Sequence, residues 1–153
     1  MKQWHRVATA VVVVVLAAAT VSRGDSNVRL KGIKCMICGM QVSAQYAVDY
    51  KGGKVFFGCG GCPSTFQRNV AKYAAAANAQ LVATGQARQK ACPVMGNPVK
   101  SNLAMKVGGV NVRFCCPRCK TALEGLRPEV QVQKVFNDKA FQRGFEPVRH
   151  RHR

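Results

Sequence analysis

The stretch AQYAVDY, residues 44–50, alternates toward Lys51-Gly52-Gly53, and KVFF follows at once. Apolar, β-branched and aromatic positions on both sides of a glycine turn predict a β-hairpin. A second stretch, NLAMKV, runs into Gly108-Gly109 and then VNVRF, and predicts another. From Pro63 the period changes: Phe66, Val70, Tyr73, Ala77 and Leu81 recur at helical spacing until Gly85. Proline suits a first helical turn and glycine the position past a last one, so one helix is expected between them. A shorter helix is expected from about Lys120, cut off before Pro128. ATGQARQKA, residues 83–91, reads as a short polar linker. Apolar residues persist through KVFNDKAFQRGFEPV, where Asn137 or Asp138 is placed to cap a last short helix.

The two hairpins belong to a longer self-similarity. Sliding the chain by 57 positions brings Cys35 onto Cys92, Gly39 onto Gly96, Val42 onto Val99 and Gly52 onto Gly109. In the same register Val55 meets Val112, Phe57 meets Phe114, Cys59 meets Cys116, Cys62 meets Cys119 and Phe66 meets Leu123. Shared cysteines, glycines and apolar positions without a gap indicate an internal repeat. The expected fold class is α+β: two small repeated modules of treble-clef or zinc-ribbon kind, each a β-hairpin, cysteine knuckles and a helix. Their expected bounds are 33–84 and 90–127, with a C-terminal helix and basic tail over 128–153. Modules of about 40 residues generally need a metal or disulfides to be stable.

Cysteines supply the candidate chemistry. Cys35, Cys38, Cys59 and Cys62 follow the spacing C-x2-C-x20-C-x2-C, close to that of a zinc site. Two thiolates three residues apart on a tight turn can fill two corners of a tetrahedron, and the hairpin brings the second pair against the first. The second half departs from this. Met95 stands where Cys38 would fall, and Cys115 stands where the first half has Gly58. Cys92, Cys116 and Cys119 can therefore be completed by Cys115 or by Met95. A fourth thiolate favours zinc and a thioether favours Cu(I). Methionine also fills gaps in cores, the plainer role for Met95 and for Met40.

The ends and the charge add a setting. Lys2, His5 and Arg6 precede the apolar run Val7–Val21, with small residues after it. This is the order of a secretory signal peptide, expected over residues 1–24, and the run is short for a membrane-spanning helix. Export to the periplasm or the extracellular space follows, or membrane anchoring if the segment is not cleaved. The formal charge is +18. Removing residues 1–24 takes away Lys2, Arg6 and Arg23 and leaves the chain strongly basic. Contact with anionic surfaces fits that charge, whereas a specific nucleic-acid interface lacks basic runs and aromatic platforms. His150 and His152 alternate with arginine and read as a solvated tail.

The stretches CMICGM…VDYKGGKVFFGCGGCPSTF and CPVMGNPV…VGGVNVRFCCPRCKTAL resemble YHS and TRASH modules. Cys38-Gly39-Met40 matches the start of the YHS pattern, and Phe114-Cys115 with Cys119 matches its end. CMICGM is also similar to the copper-binding segment of the accessory lipoproteins of nitrous-oxide reductase. The resemblance implies heavy-metal sensing, trafficking or resistance, with a transporter or a metalloprotein as partner.

Three function classes remain open. The first is an exported, non-enzymatic protein holding Zn(II) or Cu(I) at tandem thiolate sites. The second is a disulfide-stabilised secreted binding domain, since the cysteines number eight. The third is a thiol–disulfide oxidoreductase, because CGGC and CPRC have redox-type spacing at helix starts. A zinc hydrolase with histidine ligands is disfavoured: the three histidines are His5, His150 and His152, all near the ends.

Overall fold

The computed structural model describes residues 28–148, so the signal-peptide segment and His150 and His152 lie outside the described residues. Six strands and five helices follow one another: β1 (Ser43–Tyr50), β2 (Gly53–Phe57), α1 (Cys62–Arg68), α2 (Val70–Ala83), β3 (Ala87–Gln89), β4 (Ala104–Val107), β5 (Val110–Arg113), α3 (Pro117–Thr121), α4 (Pro128–Phe136), α5 (Asp138–Gly144) and β6 (Phe145–Pro147). The chain is therefore α+β, with three two-stranded antiparallel sheets: β1–β2, β4–β5 and β3–β6. No described helix is long and apolar enough to cross a membrane.

Both expected hairpins form, and they close in the same way. Tyr50 pairs with Gly53 and Val107 with Val110, leaving two-residue turns at Lys51-Gly52 and Gly108-Gly109. All four turn residues have positive φ, from 49° at Lys51 to 81° at Gly109. That is the turn whose twist matches two right-handed strands, and glycine enters it without steric cost.

The helix expected from Pro63 to Gly85 is two helices. Asn69, with φ −138° and ψ 42°, leaves the helical region and turns its N–H to Phe66 O at 2.9 Å. Asparagine competes with the helix for its own backbone, which makes it a ready break point. The break lets two surfaces be satisfied separately. In α1, Phe66 packs on the hairpin, with ring centroids 5.4 Å from Phe57 and 5.5 Å from Tyr50. In α2, Ala74, Ala75, Ala77, Ala79 and Leu81 are buried, and these small side chains let α4 and β2 approach.

Two further expectations are corrected. Residues 83–91 are not only a linker: Ala87–Gln89 form β3, paired with β6 near the end of the described chain. The helix expected from about Lys120 to Pro128 is instead α3, over Pro117–Thr121, which ends well before Pro128; Pro128 begins α4, where its missing N–H costs nothing. The cap of the last helix is as expected, since Asn137 Oδ1 accepts from the Ala140 N–H at 3.0 Å.

One core joins both halves. Phe57, Phe66 and Leu81 are fully buried from the first half, and Phe114, Leu123 and Phe136 from the second. Each such side chain contributes about 1.5–3 kcal/mol of hydrophobic stabilisation. The outer edges of both hairpins are closed by glutamine amides. Gln80 accepts from the Phe56 N–H at 2.6 Å and donates to its carbonyl at 3.0 Å. Gln86 does the same for Lys54, and Gln89 for Arg113. These side chains take the place of a third strand.

Candidate metal centres

Each hairpin is preceded by a tight cysteine knuckle, and the two knuckles are built alike. The Cys35 N–H donates to Met40 O at 2.7 Å and the Gly39 N–H to Cys35 O at 3.0 Å. The Cys92 N–H donates to Asn97 O at 2.9 Å and the Gly96 N–H to Cys92 O at 2.7 Å. These partners are 57 residues apart throughout. Gly39 and Gly96 take φ values of +73° and +79°, which a side chain would strain.

Inside each knuckle the first thiol faces three backbone N–H groups. Burial pushes the Cys35 thiol up, but the N–H groups of Cys38, Ile37 and Gly58 outweigh it and lower its pKa to about 7. For Cys92 burial again opposes, and the N–H groups of Met95, Cys115 and Val94 lower the pKa. These are the same three positions in each half. Such a nest favours a thiolate.

Two further thiols join the first in each half: Cys38 from the same knuckle and Cys62 from the start of α1, and Cys115 from beyond β5 and Cys119 from α3. Cys35, Cys38 and Cys62 place their sulfur atoms within 4.8 Å of one another, as do Cys92, Cys115 and Cys119. Four sulfurs about a zinc ion at Zn–S near 2.3 Å stand about 3.8 Å apart, so little movement is needed to close on an ion. Cys59 touches Cys62 at 3.1 Å, and Cys116 touches Cys119 at 3.4 Å. All eight cysteines are free thiols.

Protonation is uneven within each group. Burial drives the Cys62 and Cys119 thiols well above the usual range, and the neighbouring thiols add to it. Cys59 is lowered by the Cys62 thiol and by the N–H groups of Gly61 and Cys62. Cys116 is lowered mainly by the Cys119 N–H. Cys115 is raised, first by burial and then by Cys92. Packed thiols cannot all ionise without a cation among them, which is the usual condition of a thiolate metal site.

The choice between Cys115 and Met95 has a geometric counterpart in the first half. A Cβ placed on Gly58 would lie 3.0 Å from Cys38 Sγ and 2.9 Å from Met40 Cβ. Positions 38 and 58 therefore aim at the same space. In the first half Cys38 fills it and residue 58 is glycine; in the second, Cys115 fills it. Met95 is 61% exposed and Met40 50% exposed, so neither plugs the core. The complementary pairs Cys38/Gly58 and Met95/Cys115 are legible in the sequence once the 57-residue register is known.

No known family model, curated protein or solved structure matches the chain. Each of the two cysteine clusters is arranged so that it could hold a metal ion.

Proposed function

We propose that this is an exported, non-enzymatic metal-binding protein with two thiolate centres, which takes up Zn(II) or Cu(I) for sequestration or delivery. The first centre uses Cys35, Cys38, Cys59 and Cys62. The second uses Cys92, Cys115, Cys116 and Cys119, and Met95 stands outside it when zinc is bound. The observation that carries the reading is the convergence of three sulfurs within 4.8 Å in each half, with a fourth thiol in contact. Matching knuckle hydrogen bonds at a 57-residue offset support two copies of one treble-clef-like module, similar to YHS and TRASH modules. The apolar N-terminal run supports export, and a transporter or metalloprotein is the fitting recipient.

Reducing purification followed by elemental analysis beside a free-thiol count tests the reading. Two equivalents of zinc or copper per chain with all thiols recovered on denaturation is the expected result. A metal-free chain with reduced thiols contradicts it. The Cys59–Cys62 and Cys116–Cys119 contacts at helix starts favour a second reading, dithiol redox chemistry. Metal-free protein that cycles between dithiol and disulfide with a defined potential would select that one.

A further inference from the structure

The two centres differ in how they are enclosed. In the first, Cys35 and Cys62 are buried, Cys38 is exposed and Cys59 is half-buried. In the second, Cys92, Cys115 and Cys119 are all buried and only Cys116 reaches the rim. The difference follows from the exchanged corner: a cysteine on the outer knuckle faces solvent, and one at the end of β5 faces the core.

A second observation points the same way. The knuckle of the second centre is clamped by α5, an element that follows only this half. Arg143 donates to Val94 O at 2.5 Å and to Pro93 O at 3.3 Å. The Lys90 and Ala91 N–H groups both donate to Gly144 O, at 2.8 and 3.1 Å. Gly144 lies so close that a Cβ there would stand 2.8 Å from Pro93 Cα. The groove of about 360 Å³ between knuckle and helix is lined by Pro93, Val94, Leu123, Ala140 and Arg143, without a cysteine. Among the described residues no helix makes the corresponding bonds to the first knuckle, whose backbone is held by adjacent chain, as in Val42 N–H to Ile33 O at 3.1 Å, besides the Gly58 N–H at the Cys35 thiol.

Resting on the metal-binding reading, we infer that the two centres divide the work. The first is an exchangeable site that passes a thiophilic ion to a soft-ligand acceptor, and the second is a retained site that stabilises the fold. Transfer between thiolate sites proceeds by stepwise replacement of ligands. It begins where an incoming donor can reach the ion and a bound thiolate can swing away. Cys38 and Cys59 provide that opening. The second centre offers Cys116 alone, with its knuckle held by α5.

The test uses the full chain loaded with two equivalents of Zn(II) and challenged with excess 4-(2-pyridylazo)resorcinol. Two release phases of one equivalent each are expected, separated by roughly tenfold or more, which needs only about 1.4 kcal/mol between the barriers. Alkylation by iodoacetamide during release, read by peptide mass mapping, should mark Cys35, Cys38, Cys59 and Cys62 in the fast phase. Cys38→Ser should hasten the fast phase or lower its amplitude while leaving the slow phase unchanged, and Arg143→Ala should speed the slow phase alone. Both equivalents leaving together, or second-half cysteines being alkylated first, overturns the division of work while leaving metal binding intact. A chain that takes up no zinc overturns both.

Discussion

Adding a single methyl group at Gly58 probes the exchanged corner directly. In Gly58→Ala the new Cβ would meet Met40 Cβ at 2.9 Å, Cys38 Sγ at 3.0 Å and Cys35 Cβ at 3.3 Å. Distances this short force a shift, and two of the three neighbours are cysteines of the proposed first centre. Overpacking of this kind costs about 1–3 kcal/mol, equivalent to roughly 5- to 150-fold in affinity if the strain falls on the bound centre. Competition between the reduced protein and a chelator of known zinc affinity measures it. One of the two zinc equivalents should weaken by that factor while the other is unchanged. A triple variant, Cys38→Met with Met40→Asn and Gly58→Cys, gives the first half the residues the second half carries at those positions. It should recover most of the loss. Gly58→Ala binding both ions as tightly as the natural sequence, or a triple variant binding no better than Cys38→Met alone, would show that positions 38 and 58 do not share one corner.

Two other outcomes follow from the scaffold. Gln80→Leu leaves the buried Phe56 N–H and carbonyl without their partners, and urea unfolding should show a loss of about 2–6 kcal/mol, from about 1–3 per orphaned group. Asp138 accepts from Lys51 at 2.5 Å and from Asn78 at 2.9 Å, and these contacts lower its carboxyl pKa. A depressed pKa stabilises the fold above the unfolded-state value and loses that stabilisation as pH falls through the folded-state value. Asp138→Asn should therefore lower the thermal midpoint slightly at pH near 7 and not at all in strong acid; the effect is small because the carboxylate is 55% exposed. An equal difference at both pH values would remove the ion pair from the account.

Much of the candidate site was readable before the structure because it is local. Knuckles and hairpins close over a few residues, and the positive φ at Gly39, Gly52, Gly96 and Gly109 leaves a glycine behind at each. The features that escaped depend on distance along the chain. β3 became a strand because β6, 58 residues later, offered a partner to Ala87–Gln89. The edge-closing roles of Gln80 and Gln86 depend on β2 lying alongside, and nothing in their neighbourhood marks them. Asn69 was hidden for another reason: apolar spacing ran through it, and only the separate demands of Phe66 and the alanine face of α2 reveal the break. On the choice between Met95 and Cys115 the structure offers one observation that the sequence hides, the space a Cβ on Gly58 would share with Cys38 Sγ.

Cobalt(II) titration of the reduced, metal-free chain reports directly on whether each half holds an ion through its thiolates. Tetrahedral thiolate coordination gives sulfur-to-cobalt charge-transfer bands and intense ligand-field absorption, both reporting on the donors themselves. These bands should grow linearly and stop at two equivalents, and Cys62→Ser and Cys119→Ser should each change the spectrum at one equivalent. Weak bands of octahedral type, or no spectral change while all eight thiols remain reduced, would contradict thiolate binding.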